Sequence, residues 1–219
     1  MNLRNNFTKA IAVVFAQCLL ISSAFAVTDS PDQLVKQTTE NMIAVIKKEK
    51  PNYKTNPQRF FNELDTVLSP VVAFDKIARS VMSVRHIKKA TPAQLQQFEK
   101  AFKTSMIEFY GKALLKYDNQ RIDVKPIPAN QLSKPRVPVH MTIYAADGTT
   151  YPLTYTMFKD GAGEWKLRNV VVNGINIGKV FQSQFDQAMR ENQRNIQKVI
   201  DDWSNIMKSA QEKTQAKGA

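Results

Sequence analysis

The spacing of apolar residues changes twice along this chain, and the change restricts the fold more than any other feature. From Leu95 to Tyr117, apolar side chains recur every three or four residues, which predicts one long helix. Four prolines follow from Pro126 to Pro138, and the apolar spacing there falls to two residues, which is typical of strands. Helical spacing returns after Gly174. Helices, then strands, then helices predict an α+β fold.

Start signals place three further helices before the long one. Proline at a first helical position, behind a residue that can cap the helix, marks two of these starts. The predicted helices run from Ser30 to about Lys50, from Asn56 to Pro70, and for a short stretch after Phe74. The long helix itself begins at Thr91, in a capping-box sequence.

The alternating region predicts four strands joined mostly by tight turns. Their predicted bounds are Arg121 to Ile127, Arg136 to Ala145, Tyr151 to Lys159 and Trp165 to Asn173. Asp-Gly turns at Asp147 and Asp160 predict hairpins, so the strands should form an antiparallel meander. Apolar residues alternate with polar ones, as in a sheet covered on one face. We therefore expect a single α+β domain, in which a curved antiparallel sheet of about four strands packs against the N- and C-terminal helices.

The first 26 residues have the pattern of a secretory signal peptide. Arg4 and Lys9 precede an apolar run, and Ala24-Phe25-Ala26 forms a small-x-small cleavage site. We expect cleavage after Ala26, a folded domain over residues 27–207, and a disordered tail over residues 208–219, which have no apolar side chain larger than alanine.

The charge and cysteine content exclude several classes of function. Cys18, the single cysteine, lies inside the predicted signal peptide, so the mature chain offers no cysteine redox or metal chemistry. The formal net charge is +12. In an exported protein, this excess favours anionic lipid or acidic protein partners over nucleic acid.

The sequence carries little catalytic or metal-binding signal. His86 and His140 are far apart and stand in no metal-ligand spacing, so we predict no metal site. Nucleophile-elbow and nucleotide-binding motifs are absent from the sequence. Asp75, Asp123 and Tyr144 are acid/base candidates in principle, but helix caps and solvated acids explain such residues in most globular proteins. We expect a protein that is not an enzyme.

Two features are left open by the residues alone. The dense basic segment from Arg85 to Lys89 is either a solvated helix end or a site facing anionic headgroups or a membrane. The many Phe and Met residues suit an ordinary core, but they also suit a wall that accepts irregular hydrocarbon.

Three segments resemble the MlaC family, also called the toluene-tolerance family, of periplasmic phospholipid-binding proteins. Phe74 to Arg79 resembles the family's Asp-x-x-x-Ala-Arg helix, and Ala90 to Tyr110 resembles its Ala-Thr-x-x-Gln segment with spaced aromatic residues. The most specific segment, Trp165 to Phe185, resembles the family's Trp strand, Gly turn and Ser-Gln-Phe helix.

The resemblance implies a monomeric periplasmic carrier with no cofactor, whose cargo is phospholipid. It implies transfer between an outer-membrane lipoprotein-porin complex and an inner-membrane ABC transporter with an MCE-domain subunit, which maintains the lipid asymmetry of the outer membrane. The alternatives are an exported enzyme on a similar curved sheet, and an adaptor that binds no lipid.

On this interpretation, the sheet and the long helix enclose an apolar cavity for acyl chains. We expect eleven residues to line it: Phe98, Phe102, Met106, Phe109, Val139, Met141, Tyr155, Met157, Val170, Val172 and Phe181. We expect the headgroup to remain half exposed near Arg85 or Lys88, or these two residues to face a membrane.

Overall fold

The computed structural model describes residues 30–209. The predicted signal peptide, and residues 210–219 of the predicted tail, lie outside this range. Residues 208 and 209, the first two of that predicted tail, are helical. Over residues 30–209, no helix combines the length and the apolar character that crossing a bilayer requires.

Residues 30–209 form six α-helices and one sheet, and three of the helices, those that begin at Pro31, Pro57 and Pro92, start at the predicted capping signals. Thr91 caps its helix through its hydroxyl oxygen, which accepts a hydrogen bond from the Gln94 amide at 3.2 Å. The Gln94 side chain in turn accepts from the Thr91 amide at 3.0 Å. The helices are α1 Pro31–Glu49, α2 Pro57–Leu68, α3 Phe74–Ile87, α4 Pro92–Leu114, α5 Ile177–Glu191 and α6 Ile196–Asp201, and residues 203–209 are also helical.

The sheet is an antiparallel meander in which neighbouring strands pair in chain order. The strands are β1 Arg121–Val124, β2 Arg136–Tyr144, β3 Thr150–Lys159, β4 Trp165–Val172 and β5 Ile175–Asn176. The predicted α+β class and the four predicted strands are confirmed. The two-residue β5 was not predicted; it turns back on β4 through Asn173 and Gly174, both with positive φ.

One face of the sheet is apolar along its whole width. The strand register aligns three cross-strand rows on this face: Val137 with Met157 and Leu167, Val139 with Tyr155 and Val170, and Met141 with Leu153 and Val172. Helix α1 packs on the β1 and β2 part of the sheet. Its Val35 belongs to the same buried cluster as the β2 valines.

The buried apolar residues form three clusters instead of one continuous core. The helical cluster holds a nest of aromatic rings from α4, α5 and the C-terminal segment, including Phe98, Phe185 and Trp203. The sheet cluster holds the apolar residues of β2 and β3, and a third cluster joins α1, α2 and α4. Domains commonly build one contiguous core. The sheet cluster, which includes Val35 of α1, is therefore separate from the helical cluster that holds the aromatic residues of α4.

Candidate functional site

Helix α4 and the sheet are not packed closely on each other. Helix α4 packs on α2, α3 and α6, whereas the helices that pack closely on the sheet are α1, α3 and α5. The apolar face of β3 and β4 and one side of α4 therefore keep partly exposed apolar residues. We use the name α4–sheet cleft for two sets of half-buried residues: Met106, Phe109 and Tyr110 on α4, and Leu153, Tyr155, Val170 and Val172 on the sheet.

Tyr155 shows the character of this cleft most clearly. Burial raises the pKa of the Tyr155 phenol far above its ordinary value, because the surrounding protein excludes the water that would stabilise the charged phenolate. The side chain nevertheless keeps accessible surface. The phenol is therefore mostly enclosed by protein, while part of the residue stays accessible to solvent. Its hydroxyl donates to the Met141 sulfur at 3.9 Å, a weak acceptor, so the polar contact there is slight.

Tyr110 is a second tyrosine of the same kind, on α4. Burial raises the pKa of Tyr110 to about 12. Its ring meets Phe109 edge to face, with centroids 5.0 Å apart, and both rings are half-buried. Tyr110 was not among the predicted lining residues. Its position four residues after Met106 places the two on one side of the helix, and this spacing could have identified it.

The eleven predicted lining residues differ in how deeply they are buried. Five of them are half-buried: Met106, Phe109, Tyr155, Val170 and Val172. The other six are fully buried, with Phe98, Phe102 and Phe181 in the helical cluster and Val139, Met141 and Met157 in the sheet cluster. The eleven residues therefore divide into one half-buried set and two buried sets.

The aromatic residues of the helical cluster pack on one another. Phe98 lies edge to face with Phe185 at 4.9 Å and with Trp203 at 5.1 Å, and Phe102 meets Phe181 at 5.9 Å. Because neighbouring rings cover them, Phe98 and Phe102 are buried and offer almost no free surface to a ligand.

Four surface depressions, with volumes from 330 to 580 Å³, contain none of the predicted lining residues. The 580 Å³ depression lies where β5 meets α5 and has Ile175 and Val180 on its wall. These depressions are wide open to solvent, so they offer an acyl chain little shelter from water.

Arg85 and Lys88 lie away from the cleft. Helix α3 begins beside the sheet, where the Ala73 amide donates to the Leu167 carbonyl of β4 at 3.0 Å. Arg85 lies in the last turn of this 14-residue helix and Lys88 directly follows it, so both come at the end opposite the one that contacts the sheet. Both are exposed. The structure therefore does not bring them together with the residues that line the cleft.

The acid/base and metal candidates are not assembled into a site. Among residues 30–209, no group of three or more metal-ligating side chains comes together. His86 contacts Asp186 at 2.7 Å and His140 contacts Thr154 at 3.1 Å. The acid/base candidates Asp75 and Asp123 are exposed. The ring of the third candidate, Tyr144, lies under the Arg121 guanidinium.

Comparisons with known proteins agree with this architecture. A family model described as "MlaC protein" matches residues 36–205. The chain is 40% identical to toluene tolerance protein ttg2D of Pseudomonas putida over 92% of its length and 94% of that protein's. It is 25% identical to the intermembrane phospholipid transport system binding protein MlaC of Haemophilus influenzae, over 76% of the chain and 78% of that protein.

A solved structure shares the fold. The phospholipid-binding protein of Ralstonia solanacearum, in complex with a phospholipid, superposes with a TM-score of 0.72 at 24% identity. The match covers 83% of this chain and 98% of that one. The likeness confirms the predicted single-domain α+β architecture.

Proposed function

The chain belongs to the MlaC family, and we propose that it is a phospholipid carrier that holds acyl chains in the α4–sheet cleft. Two of its relatives are described as phospholipid-binding or phospholipid-transport proteins. Tyr155 is the observation within this chain that supports the proposal most, because an enclosed yet accessible apolar wall is what a hydrocarbon site requires.

The energetics of acyl chains explain why a carrier is needed. Burial of one methylene is worth about 0.8 kcal/mol, so exposing the roughly 30 methylenes of two acyl chains costs on the order of 20 kcal/mol. Unaided passage through water is therefore slow. The cleft must therefore be nearly as apolar as the interior of a bilayer. It must not bind the lipid so tightly that the lipid cannot be released at the receiving membrane.

The lining of the cleft suits a cargo without fixed shape. Met106 and the Met141 sulfur under Tyr155 are polarizable and adaptable, and Val170 and Val172 give a smooth apolar strand surface. The wall offers few strong polar partners, so the charged headgroup remains outside it. The carrier holds its cargo by non-covalent contacts and carries out no covalent chemistry.

In the cell, the carrier acts in the periplasm after removal of its signal peptide. It works as a monomer that exchanges phospholipid with an outer-membrane lipoprotein-porin complex and with an inner-membrane ABC transporter that has an MCE-domain subunit. This exchange maintains the lipid asymmetry of the outer membrane. The family membership supports this placement.

Lipid extraction from the purified protein tests the proposal. The full chain is expressed with its own signal sequence, purified from the periplasm without detergent and extracted with organic solvent, and the lipids are identified by mass spectrometry. We expect about one phospholipid or more per protein, since the bound form is favoured by many methylenes of burial. Lipid no more abundant than in an unrelated periplasmic protein purified in parallel would refute the proposal.

A further inference from the structure

Helix α3 is interrupted near its C-terminal end by a residue in an unusual backbone conformation. Ser83 has φ 62° and ψ 159°, outside the helical region, although the segment from Phe74 to Ile87 is otherwise helical. A residue other than glycine adopts positive φ only when its surroundings hold it there. The interruption is therefore a fixed feature of the fold, and it determines how the residues after it are oriented.

The consequence is an apolar side chain that points into solvent. Val84, directly after Ser83, is 67% exposed, the highest value among the exposed large apolar residues of the described chain. Its neighbours are firmly packed: Met82 is fully buried, and His86 is buried with its Nε2 atom 2.7 Å from Asp186 of α5. Val84 is thus held outward between two anchored residues.

Three exposed cations follow this valine within five residues of the chain. Arg85, Lys88 and Lys89 are all exposed. Over residues 30–209, none of the three lies within 4.0 Å of a carboxylate in an ion pair. The carboxylate of Asp186, close by on α5, is already engaged by His86. Residues 83–89, which we call the α3 tip, therefore combine one strongly exposed apolar side chain with three cations that form no ion pair within residues 30–209.

We propose that the α3 tip docks the protein on an anionic bilayer surface. Val84 enters the interfacial region, and the three cations lie at the level of the lipid phosphates. This inference rests on the proposed carrier function, because a carrier must come to membranes. A single protruding valine is too small to form the apolar centre of a stable protein interface, which covers about 800 Å² on each partner. A bilayer interface accepts one apolar side chain together with flanking cations.

Flotation with lipid vesicles tests the proposal. The full-length mature protein is mixed with vesicles of phosphatidylethanolamine and phosphatidylglycerol, or of phosphatidylcholine alone. We expect binding to the anionic vesicles that weakens in high salt. Val84→Asp, and separately the double variant Lys88→Glu with Lys89→Glu, should each lower the partition coefficient by about tenfold or more. A charge-matched control, Lys47→Glu with Lys54→Glu, changes exposed lysines elsewhere and should lower it much less.

Several results would overturn docking on a bilayer. These are equal binding of both vesicle types, equal loss in the α3-tip and control variants, or no vesicle binding by the unaltered protein. If the α3-tip variants lost binding to an acidic protein while the unaltered protein bound no vesicles, the docking partner would be that protein and not a bilayer.

Co-purified lipid is measured in the same variants. Because the tip is remote from the cleft, we expect that lipid to be unchanged, so failure of docking leaves the carrier function standing.

Discussion

Val170→Trp is expected to remove most co-purified phospholipid while the protein stays folded. Val170 is half-buried on β4, opposite the enclosed Tyr155 in the strand register. An indole at this position fills the space that we assign to an acyl chain, and an already enclosed wall leaves it little room to swing away. We expect at least about a tenfold loss of lipid per protein, measured by solvent extraction and mass spectrometry.

Val171→Trp provides the matched control on the same strand. Val171 is also half-buried, but its side chain points to the opposite face of the sheet. The two variants therefore carry the same added volume on one strand and differ in which face receives it. Lipid retained by Val170→Trp, or lost equally by both variants at equal melting temperatures, would contradict the assignment of the cleft.

Trp203→Ala is expected to lower the free energy of unfolding by about 3–5 kcal/mol. Trp203 is fully buried in the helical cluster. Its ring lies 5.1 Å from Phe98, 5.9 Å from Phe185 and 6.3 Å from Phe102, so truncation leaves a cavity among three aromatic rings. Denaturant unfolding followed by circular dichroism measures the loss.

Trp203→Phe separates ring packing from hydrogen bonding. Within the part of the chain that the structure describes, the buried indole nitrogen of Trp203 has no hydrogen-bond partner. Replacement by phenylalanine therefore removes a donor that contributes little, and it keeps most of the aromatic contacts. We expect less than half the loss seen for alanine. An equal loss in both variants would mean that the indole nitrogen is bonded after all.

Strand bounds could be predicted closely because turn chemistry and alternation agree there. The second predicted strand begins at Arg136 as observed, and the fourth begins at Trp165 as observed. The first strand was predicted to reach Ile127 but ends at Val124. Pro126 follows shortly and has no amide hydrogen to donate, so the ladder cannot continue through it. Strand β5 has only two residues, too few for an alternating apolar pattern to be recognised.

Helix interruptions could not be predicted, because they depend on backbone conformation and not on apolar spacing. The apolar rhythm of the long helix continues to Tyr117, yet α4 ends at Leu114. Tyr117 keeps its apolar contacts from a turn outside the helix. The break between α5 and α6 falls where Gln193 and Arg194 both take positive φ. Ser83 in α3 is a third such position, and it has a serine where a glycine would have marked positive φ.

The faces of strands and helices could be predicted, but the packing on each face could not, because periodicity assigns a residue to a face without saying what packs on that face. Val170, Val172 and Tyr155 were correctly placed on one face of the sheet. Phe98 lies on the apolar side of α4 as predicted, but Phe185 and Trp203 cover it. Which helix approaches the sheet depends on long-range packing. For this reason α1 covers β2, whereas α4 does not pack closely on the sheet.

Photocrosslinking from the acyl chain tests the central claim most directly. The protein is loaded with a phospholipid that carries a diazirine near the end of one chain, irradiated, digested with trypsin and mapped by mass spectrometry. We predict crosslinks in three tryptic peptides that contain the cleft residues: 104–112, 137–159 and 169–179. Crosslinks confined to peptide 80–85 of the α3 tip and to other exposed segments, with these three unlabelled, would contradict an acyl chain held between α4 and the sheet.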